Sequence, residues 1–145
     1  MKVRISFVVL SFVLSVMIGL SLSRQVGSGE EAAESDGLLI GLSMDTLKEA
    51  RWQRDQDLFT ARAEALGARV LVQSANSDDT RQMQDIQALL SNKVDVLVIV
   101  PHNGKAMAKA VAMAHEAGTP VIAYGRLITD CDLDLYVSFD NFRVG

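Results

Sequence analysis

Arg51, Trp52 and Arg126 are the side chains best equipped for recognition. An indole offers a broad apolar face, and a guanidinium offers a planar fork of fixed donors. Together they suit a neutral polyhydroxylated ring. Its axial C–H groups stack on the aromatic face, and its hydroxyls take charge-assisted hydrogen bonds worth about 1.5–3 kcal/mol each. Each residue also has a plainer reading: Trp52 as core, Arg51 as a solvated helix charge, Arg126 as half of a surface salt bridge.

Catalytic chemistry is poorly provided for. The first apolar run continues as Gly41-Leu42-Ser43-Met44-Asp45, which is not a G-x-G-x-x-G turn, and no G-x-x-x-x-G-K-[ST] loop follows any strand. His102 and His115 are the two histidines. His102 follows a strand beside Asn103 and could line a cleft, but it reads as a loop residue, with no nucleophile or orienting acid next to it. His115 lies in an Ala-rich helical stretch and reads as a surface or half-buried packing residue. Cys131 sits between Asp130 and Asp132, whose carboxylates disfavour its thiolate. Asp130, Asp132 and Asp134 read as a solvated acidic turn in preference to a metal site. No catalytic residue, metal or cofactor is predicted.

Positioning these residues is the work of one domain. The chain has 145 residues, a formal charge of −4 and a single cysteine. One cysteine excludes an internal disulfide framework, the 49% apolar composition excludes a disordered chain, and the mild acidity argues against nucleic acid as the main partner. Lys2 and Arg4 precede a charge-free run from Ile5 to Leu22, so residues 1–23 read as a cleaved signal peptide or a retained membrane anchor. Residues 24–37 are polar, acidic and Gly/Ser-bearing, as a flexible linker would be. The folded part is expected over residues 38–145.

Within it, short apolar runs alternate with helical periods. Strands are predicted at Leu38–Ser43, Arg69–Gln73, Asp95–Val100, Pro120–Tyr124 and Leu135–Phe139. Helices are predicted over Leu47–Leu66, from the Ser77-Asp78-Asp79 cap to Leu90, and over Gly104–Ala117. Trp52, Phe59, Ala63 and Leu66 would share the buried face of the first, and Met83, Ile86 and Leu90 that of the second. The continuous run DVLVIV at 95–100 suits a central strand covered on both faces. This is an α/β chain with a doubly wound parallel sheet, whose ligands belong at the carboxyl ends of the strands. Those ends are Ser43-Met44-Asp45, Gln73-Ser74-Ala75-Asn76, Pro101-His102-Asn103, Tyr124-Gly125-Arg126 and Asp140-Asn141. The sequence stops at Arg143-Val144-Gly145, where a covering helix is expected to begin, so a truncated chain or one half of something larger is expected.

Five segments form a collinear series: Arg51-Trp52-Gln53-Arg54-Asp55, Leu66-Gly67-Ala68, Val72-Gln73-Ser74-Ala75-Asn76, the stretch from Asp95 to Gly104, and Val137-Ser138-Phe139-Asp140-Asn141. In order and spacing the series resembles the amino-terminal lobe of D-xylose-binding proteins, extracytoplasmic sugar receptors related to ribose-binding proteins. The resemblance implies one lobe of a type I periplasmic-binding-protein fold, with a second lobe, which another chain could supply, closing on the sugar across a hinge. It implies D-xylose or a similar monosaccharide as ligand, and an ABC-type permease or a membrane histidine kinase as partner. Arg51 would bond sugar hydroxyls, Trp52 would stack on the ring, and Arg126 would match the arginine of the family's Asp-Arg pair. Asp140 and Asn141 would fall at the hinge. The pair is Gly125-Arg126 here. A hydroxyl left unpaired by the missing carboxylate would cost about 1–3 kcal/mol. Three other classes compete: a regulator, which needs a helix-turn-helix before the lobe, an enzyme, which needs a phosphate loop or an activated nucleophile, and a non-functional remnant of a receptor.

Overall fold

Alternation along each strand decides which face its side chains reach. The computed structural model describes residues 37–140 and Arg143. The signal or anchor over 1–23, nearly all of the linker over 24–37, and Asn141 lie outside the described residues. The elements are β1 (Leu39–Met44), α1 (Ala50–Ala65), β2 (Arg69–Ser74), α2 (Asp79–Ser91), β3 (Val96–Ile99), α3 (Ala108–Glu116), β4 (Val121–Tyr124) and β5 (Leu135–Val137). The strands form one parallel sheet in the order β2-β1-β3-β4-β5. The doubly wound α/β architecture is the one predicted.

Leu97, Ile99, Val121 and Ala123 pack with Ile86 and Leu89 of α2 and with Ala110, Val111 and Ala114 of α3. The intervening Val98, Val100, Ile122 and Tyr124 join Leu42, Met44 and the α1 residues Trp52 and Phe59 in a second cluster. One β-branched run thus serves two cores, as a central parallel strand must.

Several boundaries and faces differ from the prediction. Leu66 is 69% exposed, because α1 has ended: the Gly67 and Ala68 N–H groups close back on the Glu64 and Ala63 carbonyls. The buried stripe of α2 is Gln82, Ile86 and Leu89, while Met83 and Leu90 are only half-buried. A glutamine enters the core because backbone groups there satisfy its amide, as described below. Helix α3 begins at Ala108, not Gly104. The Asn103 Oδ1 accepts from the Lys105 and Ala106 N–H groups and holds a separate turn. A Cβ at Gly104 would run into the Leu127 carbonyl oxygen, so the chain passes too close for any other residue. Strand β5 stops at Val137, leaving Phe139 beyond it.

The two sides of the sheet are unequally covered. Beside α1, a groove of about 260 Å³ runs along Leu42, Met44, Phe59 and Tyr124. On the edge strand β5, Leu135, Tyr136 and Val137 stay 41–50% exposed.

The amino end of this edge is held by Asp134. Its Oδ2 accepts from the Val121 N–H at 2.7 Å and lies 2.8 Å from His115 Nε2. The acidic turn is therefore not uniformly solvated, and His115 is an exposed residue that hydrogen-bonds Asp134. The Val121 N–H bond, followed by the His115 contact, holds the Asp134 carboxyl below its ordinary range. A depressed folded-state value means that the carboxylate's stabilisation is complete above the unfolded-state titration near pH 4 and is lost as pH falls through the folded-state value. Asp134→Asn is expected to flatten the acid limb of a stability–pH curve below about pH 4, as urea midpoints would show.

Candidate functional site

With strand order 2-1-3-4-5, the topological switch lies between β1 and β3, where the chain leaves in opposite directions and opens a crevice at the carboxyl ends. Asp45 follows β1 at this point, and its side chain is only 5% exposed. Its Oδ2 accepts from Arg126 Nη1 at 2.6 Å, and its Oδ1 lies 2.9 Å from His102 Nδ1. Arg126 Nη1 also donates to the Pro101 carbonyl at 3.0 Å. A single carboxylate therefore ties together the ends of β1, β3 and β4.

Gln82 braces this arrangement from beneath. Its Nε2 donates to the Val100 carbonyl at 2.9 Å, and Ser43 Oγ lies 3.3 Å from the same nitrogen. Its Oε1 accepts from the His102 N–H at 2.9 Å. A buried amide with both N–H donors and its oxygen bonded fixes the course of the chain on either side of Pro101.

The indole of Trp52 lies beside the tied arginine. The Arg126 Cζ is 5.6 Å from the Trp52 ring centroid and the Arg51 Cζ is 4.8 Å from it. Arg51 also lies 5.4 Å from the Phe139 ring. The structure thus brings Arg51, Trp52 and Arg126 to one rim. It also realises their plainer readings: Trp52 is 5% exposed and belongs to the core, Arg51 is exposed on its helix, and Arg126 is ion-paired. The alternatives are not exclusive, because a core edge that reaches the strand ends is also a wall of the crevice.

Gln82 and Phe139 have no signal in the sequence that places them here. Asp45 and His102 stand at strand ends, where ligands belong, but their contact depends on β1 and β3 being neighbours. His102 is correspondingly more than a loop residue. Asp140 follows β5, exposed, with its Oδ2 3.4 Å from Arg143 Nε. The thiol of half-buried Cys131 is pushed up first by burial and then by Asp130 and Asp132, so the expected effect is present with a different leading cause. Among the described residues no group of three or more metal-ligating side chains comes together. Tyr124, whose hydroxyl donates to Asp55 at 3.3 Å, is also raised, by burial and then by that carboxylate.

Residues 40–145 match the family model described as a periplasmic binding protein domain. The chain belongs to this family. It is 50% identical over 114 residues to the D-xylose-binding periplasmic protein of Haemophilus influenzae, a match covering 79% of this chain and 34% of that one. The corresponding protein of Escherichia coli is 46% identical over the same shares. Among solved structures, a carbohydrate transporter solute-binding protein from Chloroflexus aurantiacus, in complex with D-glucose, superimposes with a TM-score of 0.70 at 34% identity. That match covers 74% of this chain and 32% of the other. The chain spans about a third of the length of the curated relatives it matches.

Gly125 stands where the resemblance implies the first residue of an Asp-Arg pair. Its φ is +74°, and a Cβ there would sit 3.5 Å from Trp52 Cη2, an ordinary contact. Space is available; conformation is the obstacle, since a left-handed backbone costs an L-residue about 1–2 kcal/mol, with Asp at the tolerant end. Gly125→Asp is expected to lower stability by about 1 kcal/mol, read as a fall in the thermal midpoint.

Proposed function

We propose that residues 38–145 are the amino-terminal lobe of an extracytoplasmic monosaccharide receptor, with D-xylose as its ligand and an ABC-type permease as its partner. In this reading residues 1–23 export or anchor the chain, residues 24–37 space the lobe from that segment, and Asp140 and Asn141 lead into the hinge. The carrying observation is the juxtaposition of Trp52 with two guanidinium groups at the carboxyl ends of a parallel sheet. The high identity to D-xylose-binding proteins supports the choice of sugar.

The physical logic is that of a half-grip. Arg126 is held by Asp45 and the Pro101 carbonyl, so its remaining donors are already oriented. Little ordering entropy is then lost when a hydroxyl binds. Trp52 supplies apolar surface for C–H groups once a ligand displaces solvent and the exposed Arg51 guanidinium moves aside, while Arg126 stays tied. A lobe of this kind touches one side of the sugar, and the second side is left to another lobe.

Titrating the chain with D-xylose should shift the Trp52 indole N–H and the Arg51 and Arg126 Nε–H resonances in nuclear magnetic resonance spectra. Saturation is expected with a dissociation constant on the order of 1 mM. Absence of any shift with D-xylose, D-ribose or D-glucose at concentrations on the order of 100 mM would overturn the proposal. Fractionation tests the leader: a carbonate-resistant membrane pellet means retention, and a shortened soluble form means cleavage.

A further inference from the structure

Asp45 carries a consequence for the imidazole beside it. Its carboxylate can only accept, so His102 Nδ1, 2.9 Å away, is the protonated nitrogen of the pair. In the neutral ring the lone pair is then on Nε2, which faces away from Asp45 across the rigid imidazole. No protein group among the described residues bonds Nε2, and the side chain is 37% exposed. The backbone beneath it is clamped by Gln82, and Asp45 is itself fixed by Arg126. This is a pre-oriented acceptor whose neighbour, through one shared carboxylate, is the ligand-facing arginine.

Resting on the receptor reading above, we propose that His102 is a ligand contact of this domain: its Nε2 accepts a hydrogen bond from a hydroxyl of the bound monosaccharide. It supplies on the β3 end an acceptor of the kind that Gly125 cannot supply on the β4 end. A neutral sugar hydroxyl needs both a donor and an acceptor to be fully satisfied in a closed crevice. Arg51 and Arg126 are donors only. Without an acceptor on this rim, hydroxyl protons would be left unpaired, so an imidazole held in the Nδ1–H form by a buried carboxylate fills a defined chemical gap.

The test uses the full chain labelled with ¹⁵N in its histidine rings and titrated with D-xylose. The His102 Nε2 resonance is expected to move saturably, with the same midpoint as the Trp52 indole N–H. His102→Phe keeps a flat ring without either nitrogen; it also gives up the Asp45 contact, so a lowered thermal midpoint is expected together with a dissociation constant raised about five- to tenfold. If the Trp52 signal responds while Nε2 does not, or if His102→Phe binds as tightly as the parent, the His102 assignment is wrong and the receptor reading stands. If neither signal responds to D-xylose, D-ribose or D-glucose, both fall. The titration of the unsubstituted chain needs no variant to fold, so the assignment can be overturned even where His102→Phe is unstable.

Discussion

Trp52→Ala should destabilise the domain by about 3–5 kcal/mol, the range for deleting a large aromatic side chain from a packed interior. The indole is 5% exposed and packs in the cluster of Leu42, Met44, Val98 and Val100, so its loss leaves a cavity on the α1 side of the sheet. That side has the smaller helical cover, and the groove along Leu42, Met44, Phe59 and Tyr124 already adjoins it. Two guanidinium groups lose their aromatic partner as well, at about 0.5–1 kcal/mol for each exposed cation–π contact. Urea denaturation with a common m-value would measure the loss. Trp52→Phe should restore most of the stability by refilling the apolar volume. A residue serving only as an exposed stacking platform would instead show a change within about 0.5 kcal/mol on truncation. A small effect would therefore separate Trp52 from the core and leave the two roles on different residues.

Burial and strand-end position together explain which parts of the candidate site are legible in the sequence. A run such as Val96–Val100 signals burial on both faces, because polar positions are missing from the alternation. Arg51, Trp52 and Arg126 were identifiable because each sits at or near a strand's carboxyl end, where the fold class puts ligands. Asp45 was harder. Its importance comes from two partners, His102 and Arg126, that belong to different strands, and only the order β1-β3-β4 makes them neighbours. Gln82 defeats helical periodicity altogether: an apolar stripe through Met83 and Leu90 is the ordinary solution, and a polar residue displaces it because the Val100 carbonyl and the His102 N–H need partners. Chain closeness at Gly104 is similarly invisible, since the blocking oxygen belongs to Leu127, on the far side of a helix and a strand. Local pattern reports what a segment must bury, and topology decides what it meets.

Arg126→Ala should cost more than Asp45→Ala, although the two residues share one ion pair. The asymmetry follows from their exposure: the Arg126 side chain is 44% exposed and that of Asp45 is 5% exposed. Removing the arginine strands a carboxylate in a site that water scarcely reaches, with His102 as its remaining side-chain partner. An uncompensated buried charge of this kind costs about 3–5 kcal/mol, and the histidine contact places the expected loss near the lower end, about 3 kcal/mol. Removing the carboxylate instead leaves Arg126 and His102 free to take water, so Asp45→Ala should cost about 1–2 kcal/mol. The double substitution removes the charge together with its partner, and its loss should fall short of the sum of the single losses by more than about 1 kcal/mol. Chemical denaturation of all four proteins closes the cycle. Equal single losses that simply add would mean that Asp45 is better hydrated than its burial indicates. In that case it would not be rigid enough to hold Arg126 and His102 in place for a ligand.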